Sequence, residues 1–393
     1  MKKVYPKVSI VVVNFNGKKH LKMFFESVFK LDYPQDKLKV ILVDNVSTDC
    51  SAEFVAKNYP QVKVILNDVN NYCKANNLGI KASDAEYVAL VNNDTRMDKR
   101  WLIELVKIIS QDKNIACVGG KILTMDGKIQ NAGHYELPNF YWGERGAGQE
   151  RKKYDSIEEV TSLCGAAVLY RKSTLLEAGL FDEDFIIYGE DVEMCLRLRQ
   201  KNYKLMFVPS SIIYHQFHGT ADKETSRYYI ERNRLLYLAK HYPHKLSDSL
   251  IGDGNFTIKQ SIASLGKLYL LLPDVIAKLV KTHPLGTVQE IIRDLFNEIK
   301  RISNLENDIL IDKFNAMADD QRKANVELDQ KKAQLNQQKT DLEEKIREVL
   351  VREQAIAERN KQISILQGEI KNLQDREKNA LIDREQAIAE RNK

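Results

Sequence analysis

For about 245 residues, apolar positions come in short runs that end abruptly in polar ones. The run VSIVVV, residues 8–13, is β-branched, as a strand buried on both faces of a parallel sheet requires, and it stops at Asn14, Asn16 and Gly17. The pattern predicts a helix over about 18–30, then a second strand over 39–43 ending in Asp44. A further helix is predicted from near Ala52, capped within Ser47–Asp49. Strand, helix and strand in this order make a βαβ unit with right-handed crossovers. Asn70 and Asn71 are expected to carry a tight turn at positive φ, and Asn76 and Asn77 to open the helix behind the sheet. Residues 87–91, YVALV, form another apolar run, after which Asn92, Asn93 and Asp94 turn the chain polar at once. In an open α/β sheet that is where ligands sit, although an isolated Asn-Asn-Asp is also ordinary turn chemistry.

Farther along, Glu190 and Asp191 stand at the start of an amphipathic helical pattern. KLMFVPSSIIYH, residues 204–215, then reads as a strand, and the chain closes on His215 and His218. A carboxylate at a helix N-terminus is held in a fixed direction, and a histidine ending a buried strand is well placed to ligate a metal. SRYYIERNRLLYLAKHYP is an amphipathic helix carrying Tyr228, Arg232 and Asn233. Trp142 lies in a turn-rich insertion, where it either stacks on a sugar ring or covers the core.

The last third changes character. Beyond about residue 288 Gln, Lys, Glu, Arg and Asn dominate, and Leu328, Leu335, Leu342, Val349, Ile356, Ile363 and Ile370 recur every seven residues. This is a coiled-coil ladder, half apolar because Lys331, Gln338, Lys345, Arg352 and Arg359 share its seam. The decapeptide REQAIAERNK occurs at 352–361 and again at 384–393, an offset that introduces a stutter.

Composition narrows the partners. The hydrophobic fraction is 43% and the net charge +5, from mixed signs with no Arg-rich stripe, so nucleic acid is not an expected partner. Five cysteines without a CxxC pair fit a reducing cytoplasm, and each reads as a small core or loop residue. The basic, then apolar N-terminus reads as a first strand rather than a signal peptide, and no segment is long enough to span a bilayer. Cytoplasmic residence is expected, with room for a peripheral contact on the inner face of the membrane. Neither GxGxxG nor GxxxxGK[ST] is present, which argues against a nicotinamide-type Rossmann site and a P-loop.

In order, VSIVVVNFNG, VILVDNVSTDCS, NNYCKANNLGIKAS, VNNDT, LCGAAVLYRKSTLLEAGLFDEDFIIYGED and YHQFHGT resemble the family 2 glycosyltransferases of the GT-A fold. Within them the series is most similar to the rhamnosyltransferase-like branch of bacterial surface polysaccharide synthesis, over about residues 8–243. The resemblance implies an α/β GT-A domain with a Rossmann-like mixed sheet flanked by helices. It further implies an inverting transferase dependent on Mn2+ or Mg2+. Its nucleotide-sugar donor would be bound through Asn14, Asn16, Asp44, Lys74, Asn92, Asp94 and Arg232, with Lys74 facing either the diphosphate or solvent. VNND matches the family's DXD element with Asn92 in place of the first Asp, so Asp94 becomes the main metal ligand beside His215. By the same resemblance Asp191 is the catalytic base and Glu190 helps position it, and the acceptor is a glycan or lipid-linked saccharide.

The expected organisation is a GT-A domain over 1–245, divided into a nucleotide-binding half (1–110) and an acceptor half (111–245). A helical connector follows over 246–287, then a coiled coil over 288–393 that makes a homo-oligomer. Two other readings share the motifs: a non-catalytic coiled-coil scaffold with a sugar-nucleotide-binding head, and a sugar nucleotidyltransferase.

Overall fold

The first β-branched run forms β1 (Val8–Asn14), buried at every residue. It lies inside a parallel group with β2 (Leu38–Asp44), β3 (Lys63–Leu66) and β4 (Tyr87–Val91), in the order β3-β2-β1-β4. The computed structural model describes residues 5–216, 223–249 and 271–303, with isolated positions between 330 and 371. Helices α1 (Lys18–Val28), α2 (Ser51–Asn58) and α3 (Tyr72–Ala82) link these strands. Asp49, within the expected capping stretch, serves two helices. Its Oδ2 accepts from the Lys18 N–H at 2.9 Å and its Oδ1 from the Ser51 N–H at 3.1 Å, where exposed amides and the helix dipole both favour a carboxylate. Helix α3 lies so close to β1 that a Cβ on Gly79 would stand 2.2 Å from Val11 Cγ1.

Two expectations for α3 are overturned. Asn71 has φ −140° and is the N-cap, its side chain accepting from the Lys74 N–H at 2.9 Å, so a side-chain cap replaces the positive-φ turn. Asn76 and Asn77 consequently fall inside the helix, both buried.

Beyond β4 the sheet becomes mixed. β11 (Ala167–Arg171) runs antiparallel to β4 and to β6 (Ile115–Leu123), and β12 (Lys204–His215) lies parallel to β6. β5 (Thr95–Met97) pairs with the end of β12, β7 (Ile129–Asn131) with β6, and β10 (Glu158–Glu159) with β12. A separate hairpin of β8 (His134–Leu137) and β9 (Tyr141–Glu144) carries Trp142. α4 (Trp101–Ile109) brings Trp101, Leu102 and Leu105 into a core shared with Phe24, Phe25 and Leu42. α5 (Lys172–Glu177), α6 (Glu190–Gln200) and α7 (Lys223–His241) complete the domain.

The first compact unit extends to Arg301, well past residue 245. Residues 271–282 are helical, and the next helix, Leu285–Ser303, buries Val288, Ile291, Leu295 and Ile299 along one stripe. Leu272 and Ile276 line a small cleft with Leu295 and Ile299, so the two helices face one another. The heptad ladder from Leu328 to Ile370 lies outside the described residues. Among the described residues, no helix is long and apolar enough to cross a membrane.

Candidate active site

The carboxyl ends of β1, β2 and β4 share one edge of the sheet, and the polar residues that follow each apolar run collect there. At its far side, β5 pairs with the end of β12 so that His215 lies opposite Thr95, and the Gln216 N–H donates to the Asp94 carbonyl at 3.0 Å. That ladder brings Asp94 Oδ1 within 3.0 Å of His215 Nε2, both side chains buried. His215 Nδ1 stands 3.1 Å from Gln130 Oε1 on β7; because an amide oxygen only accepts, Nδ1 carries the ring proton. Burial pushes the Asp94 carboxyl up, but the hydrogen bond and charge of His215 more than offset this and hold it below the usual range. The Nε2 contact is attractive with either a second ring proton or a cation shared by the two atoms. Adjacent ligands of a six-coordinate ion with bonds of about 2.1 Å stand about 3.0 Å apart, so this pair and its outer partner Gln130 fit a hard divalent cation. Beside Gln216 an open cavity of about 260 Å³ is lined by Lys19, His20 and Met23.

The acidic pair opens α6 after a loop in which Ile186, Tyr188 and Gly189 all take positive φ. Asp191 is half-buried, and its carboxylate accepts from the Gly165 N–H at 2.7 Å and the Val192 N–H at 2.8 Å. Glu190 is buried; desolvation and the charge of Asp191 push its carboxyl up to about 8. Its Oε2 has no hydrogen-bond partner among the described residues. Glu144, at the end of β9, feels the charge of both corners. Burial and the charge of Asp191 raise its carboxyl while His215 lowers it. The Asn92 N–H donates to the Ala166 carbonyl at 2.9 Å, next along the chain from the Gly165 N–H that holds Asp191. Tyr72 closes the floor by donating its hydroxyl to Asn92 Oδ1 at 2.9 Å.

The remaining expected donor residues are engaged in holding the fold. Asn14 donates to Ser51 Oγ at 2.7 Å and accepts from Asn93 Nδ2 at 2.7 Å, tying β1 to the loop after β4. Asp44 accepts from the Ser47 N–H at 2.9 Å and from Ser51 Oγ at 3.3 Å, while Asn16 Oδ1 accepts from the Thr48 N–H at 2.7 Å. Lys74 pairs with Asp68 at 2.6 Å. Arg232 is buried, bound to Asp274 at 2.5 Å and to the Asp184 carbonyl at 2.8 Å, so it braces the loop before α6. Asn233 Nδ2 lies 2.8, 2.7 and 2.6 Å from the carbonyls of Phe185, Ile187 and Tyr188 in the same loop, which share its two protons. His218 lies outside the described residues. Sequence pattern does not single out His134, Glu144, Lys19 or His20, since a hairpin off the main sheet and the polar face of α1 carry no distinguishing period.

Residues 9–177 match the model of the family described as Glycosyl transferase family 2. The N-acetylglucosaminyl-diphospho-decaprenol L-rhamnosyltransferase of Mycobacterium tuberculosis is 25% identical over 237 residues, covering 54% of this chain and 76% of the relative. The O-antigen biosynthesis protein RfbC of Myxococcus xanthus is 28% identical over 233 residues, 53% of this chain and 17% of the relative. Among solved structures, GalNAc-T7 with UDP, GalNAc and Mn2+ aligns with a TM-score of 0.50 at 18% identity, covering 71% of this chain and 58% of that one. That likeness is one of fold, and the fold is GT-A.

Proposed function

We propose, from the premise that residues 9–177 are a glycosyl transferase family 2 domain, that this chain moves a sugar from a nucleotide-sugar donor to a lipid-linked or growing saccharide with inversion at the anomeric carbon. The observation that carries the reading is the hydrogen-bonded link between the two corners: the Gly165 N–H holds Asp191, and the adjacent Ala166 carbonyl accepts from the Asn92 N–H at 2.9 Å, two residues before the Asp94 that stands 3.0 Å from His215. Inversion by one displacement needs a proton acceptor on one side of the anomeric carbon and charge stabilisation on the other. Asp191, directed by two backbone N–H groups, takes the proton of the acceptor hydroxyl. Glu190 keeps its own proton at neutral pH and so leaves that role to its neighbour.

Asp94 and His215 would hold Mn2+ or Mg2+, which supplies positive charge against the developing diphosphate. Lys19 and His20, at the cavity beside them, extend that positive surface. The Mycobacterium tuberculosis relative, named for L-rhamnosyl transfer to N-acetylglucosaminyl-diphospho-decaprenol, supports a rhamnose donor and a polyprenyl diphosphate saccharide acceptor; dTDP-rhamnose is our proposed donor, with UDP-hexoses as the competing donors. We place the chain at the inner membrane surface as a homo-oligomer assembled through its heptad region.

The test measures donor-dependent release of nucleoside diphosphate by purified protein, together with calorimetry of nucleoside diphosphate binding with Mn2+ and with chelator. Asp94→Ala and His215→Ala should each weaken the metal-dependent part of binding, Asp94→Ala more because it removes formal charge. Unchanged metal dependence in both variants would move the ion elsewhere or remove the need for one.

A further inference from the structure

We infer that His134, Cys164 and Asp191 form a second cation site, suited to Zn2+ rather than to Mn2+ or Mg2+, and that its occupation takes Asp191 out of the transfer reaction. One ligating atom from each of the three lies within 4.8 Å of the others. Around a four-coordinate zinc with bonds of about 2.0 to 2.3 Å, such atoms stand about 3.3 to 3.8 Å apart, so the trio needs to contract by at most about 1.5 Å. A thiolate, an imidazole and a carboxylate form the borderline-soft set that zinc prefers, whereas Mn2+ and Mg2+ favour oxygen-rich sets.

The segment around Cys164 also prearranges the other two ligands. Ser162 Oγ lies 3.1 Å from His134 Nδ1, and the His134 N–H donates to the Ser162 carbonyl at 3.0 Å, which fixes the ring. The Gly165 N–H fixes Asp191 from the next turn of the same segment. Each carboxylate oxygen accepts one backbone proton and retains a lone pair for an ion. All three residues are half-buried, which leaves the cluster reachable from solvent. Burial first, and the charge of Asp191 after it, push the Cys164 thiol up. Zinc binding would displace the Cys164 proton to solvent and neutralise part of that charge.

The binding part of this inference is independent of the proposed transferase chemistry, while the inhibitory part rests on Asp191 as its base. Co2+ serves as the probe, added to the full chain in saturating Mn2+. A near-ultraviolet thiolate-to-cobalt band should grow in, vanish on adding Zn2+, be lost in Cys164→Ser, and persist in Cys50→Ser, which removes the exposed cysteine. Absence of the band, or its survival in Cys164→Ser, overturns the site whether or not transfer is seen. In the transfer assay at saturating Mn2+, Zn2+ should suppress wild-type turnover at least tenfold. Cys164→Ser and His134→Gln should each move the inhibition midpoint at least tenfold higher. Equal inhibition in all three proteins would place zinc at Asp94 and His215 and overturn the inference; a cobalt band with zinc-insensitive transfer would overturn the inhibitory role.

Discussion

Glu190 and Asp191 are adjacent carboxylates in different surroundings, and the proposed division of tasks between them follows that difference. Asp191 has two backbone donors and is half-buried, so Asp191→Asn keeps size and most packing but removes the proposed proton acceptor. We expect transfer to fall below a tenth of the wild-type rate while nucleoside diphosphate and Mn2+ binding stay within a few-fold by calorimetry. Faster transfer removes Asp191 from the base role, and equal loss of binding makes it structural. Glu190 yields a prediction in pH. The unfolded chain releases this proton near pH 4.3, whereas burial and Asp191 hold it on the folded protein up to about 8. Between these values the folded state binds more protons than the unfolded one, so stability falls as pH rises, by up to about 1.4 kcal/mol per pH unit. Asp94, Asp182 and Glu193 are shifted downward, so their contributions are lost on acidification, in a separate window. Denaturant melts from pH 5 to 8 should therefore show Glu190→Gln gaining steadily on the wild type. Parallel curves would mean that Glu190 ionises normally.

At the scale of elements, the loop from Phe181 to Gly189 aims the acidic pair, and α3 and α7 hold that loop from two sides. Asn77 donates to the Phe181 carbonyl at 2.9 Å and to Glu183 Oε1 at 3.0 Å, and accepts from the Phe181 N–H at 2.9 Å. Asn77→Ala leaves buried polar groups without partners, at about 1 to 3 kcal/mol each. We expect a lower denaturation midpoint and a larger fall in kcat than in donor affinity, because the loop leads to the proposed base and not to the proposed metal ligands. A variant with wild-type kcat would show that the loop holds itself. This bracing explains what the sequence conceals. Strands β1, β2 and β4 were legible because buried parallel strands need unbroken apolar runs. Asp44, Asp94, Glu190 and His215 were legible because each stands where such a run or a helix begins or ends. Asn77, Arg232 and Asn233 read as ordinary helix residues, since their partners are main-chain atoms of a distant loop. His134 and Glu144 belong to a hairpin off the main sheet, with no period to mark them.

At the scale of the molecule, the unit that holds the site does not stop where its motifs stop. Lys278 is buried between Asp182 and Asp184, Lys281 pairs with Asp184 at 2.8 Å, and Asp274 holds Arg232, so the helical residues 271–282 brace the loop that precedes the acidic pair. Helix Leu285–Ser303 in turn covers that helix with Val288, Ile291, Leu295 and Ile299, side chains worth about 1.5 to 3 kcal/mol each when fully buried. Against a total stability of about 5 to 15 kcal/mol, their removal is severe. A chain ending at Ser303 should keep transfer to short soluble acceptors, whereas one ending at Thr287 should melt lower and lose activity with it. If both melt and transfer alike, the last helix is not part of the catalytic unit. The heptad ladder from Leu328 to Ile370 lies beyond either end, and its half-apolar seam is expected to bind further copies of itself rather than the head. Light scattering should therefore report a dimer or trimer for the whole chain and a monomer for the one ending at Ser303, with the whole chain ahead only on long or membrane-held acceptors, where linked sites raise the effective acceptor concentration. A monomeric whole chain would mean that the ladder folds back or pairs with a different protein.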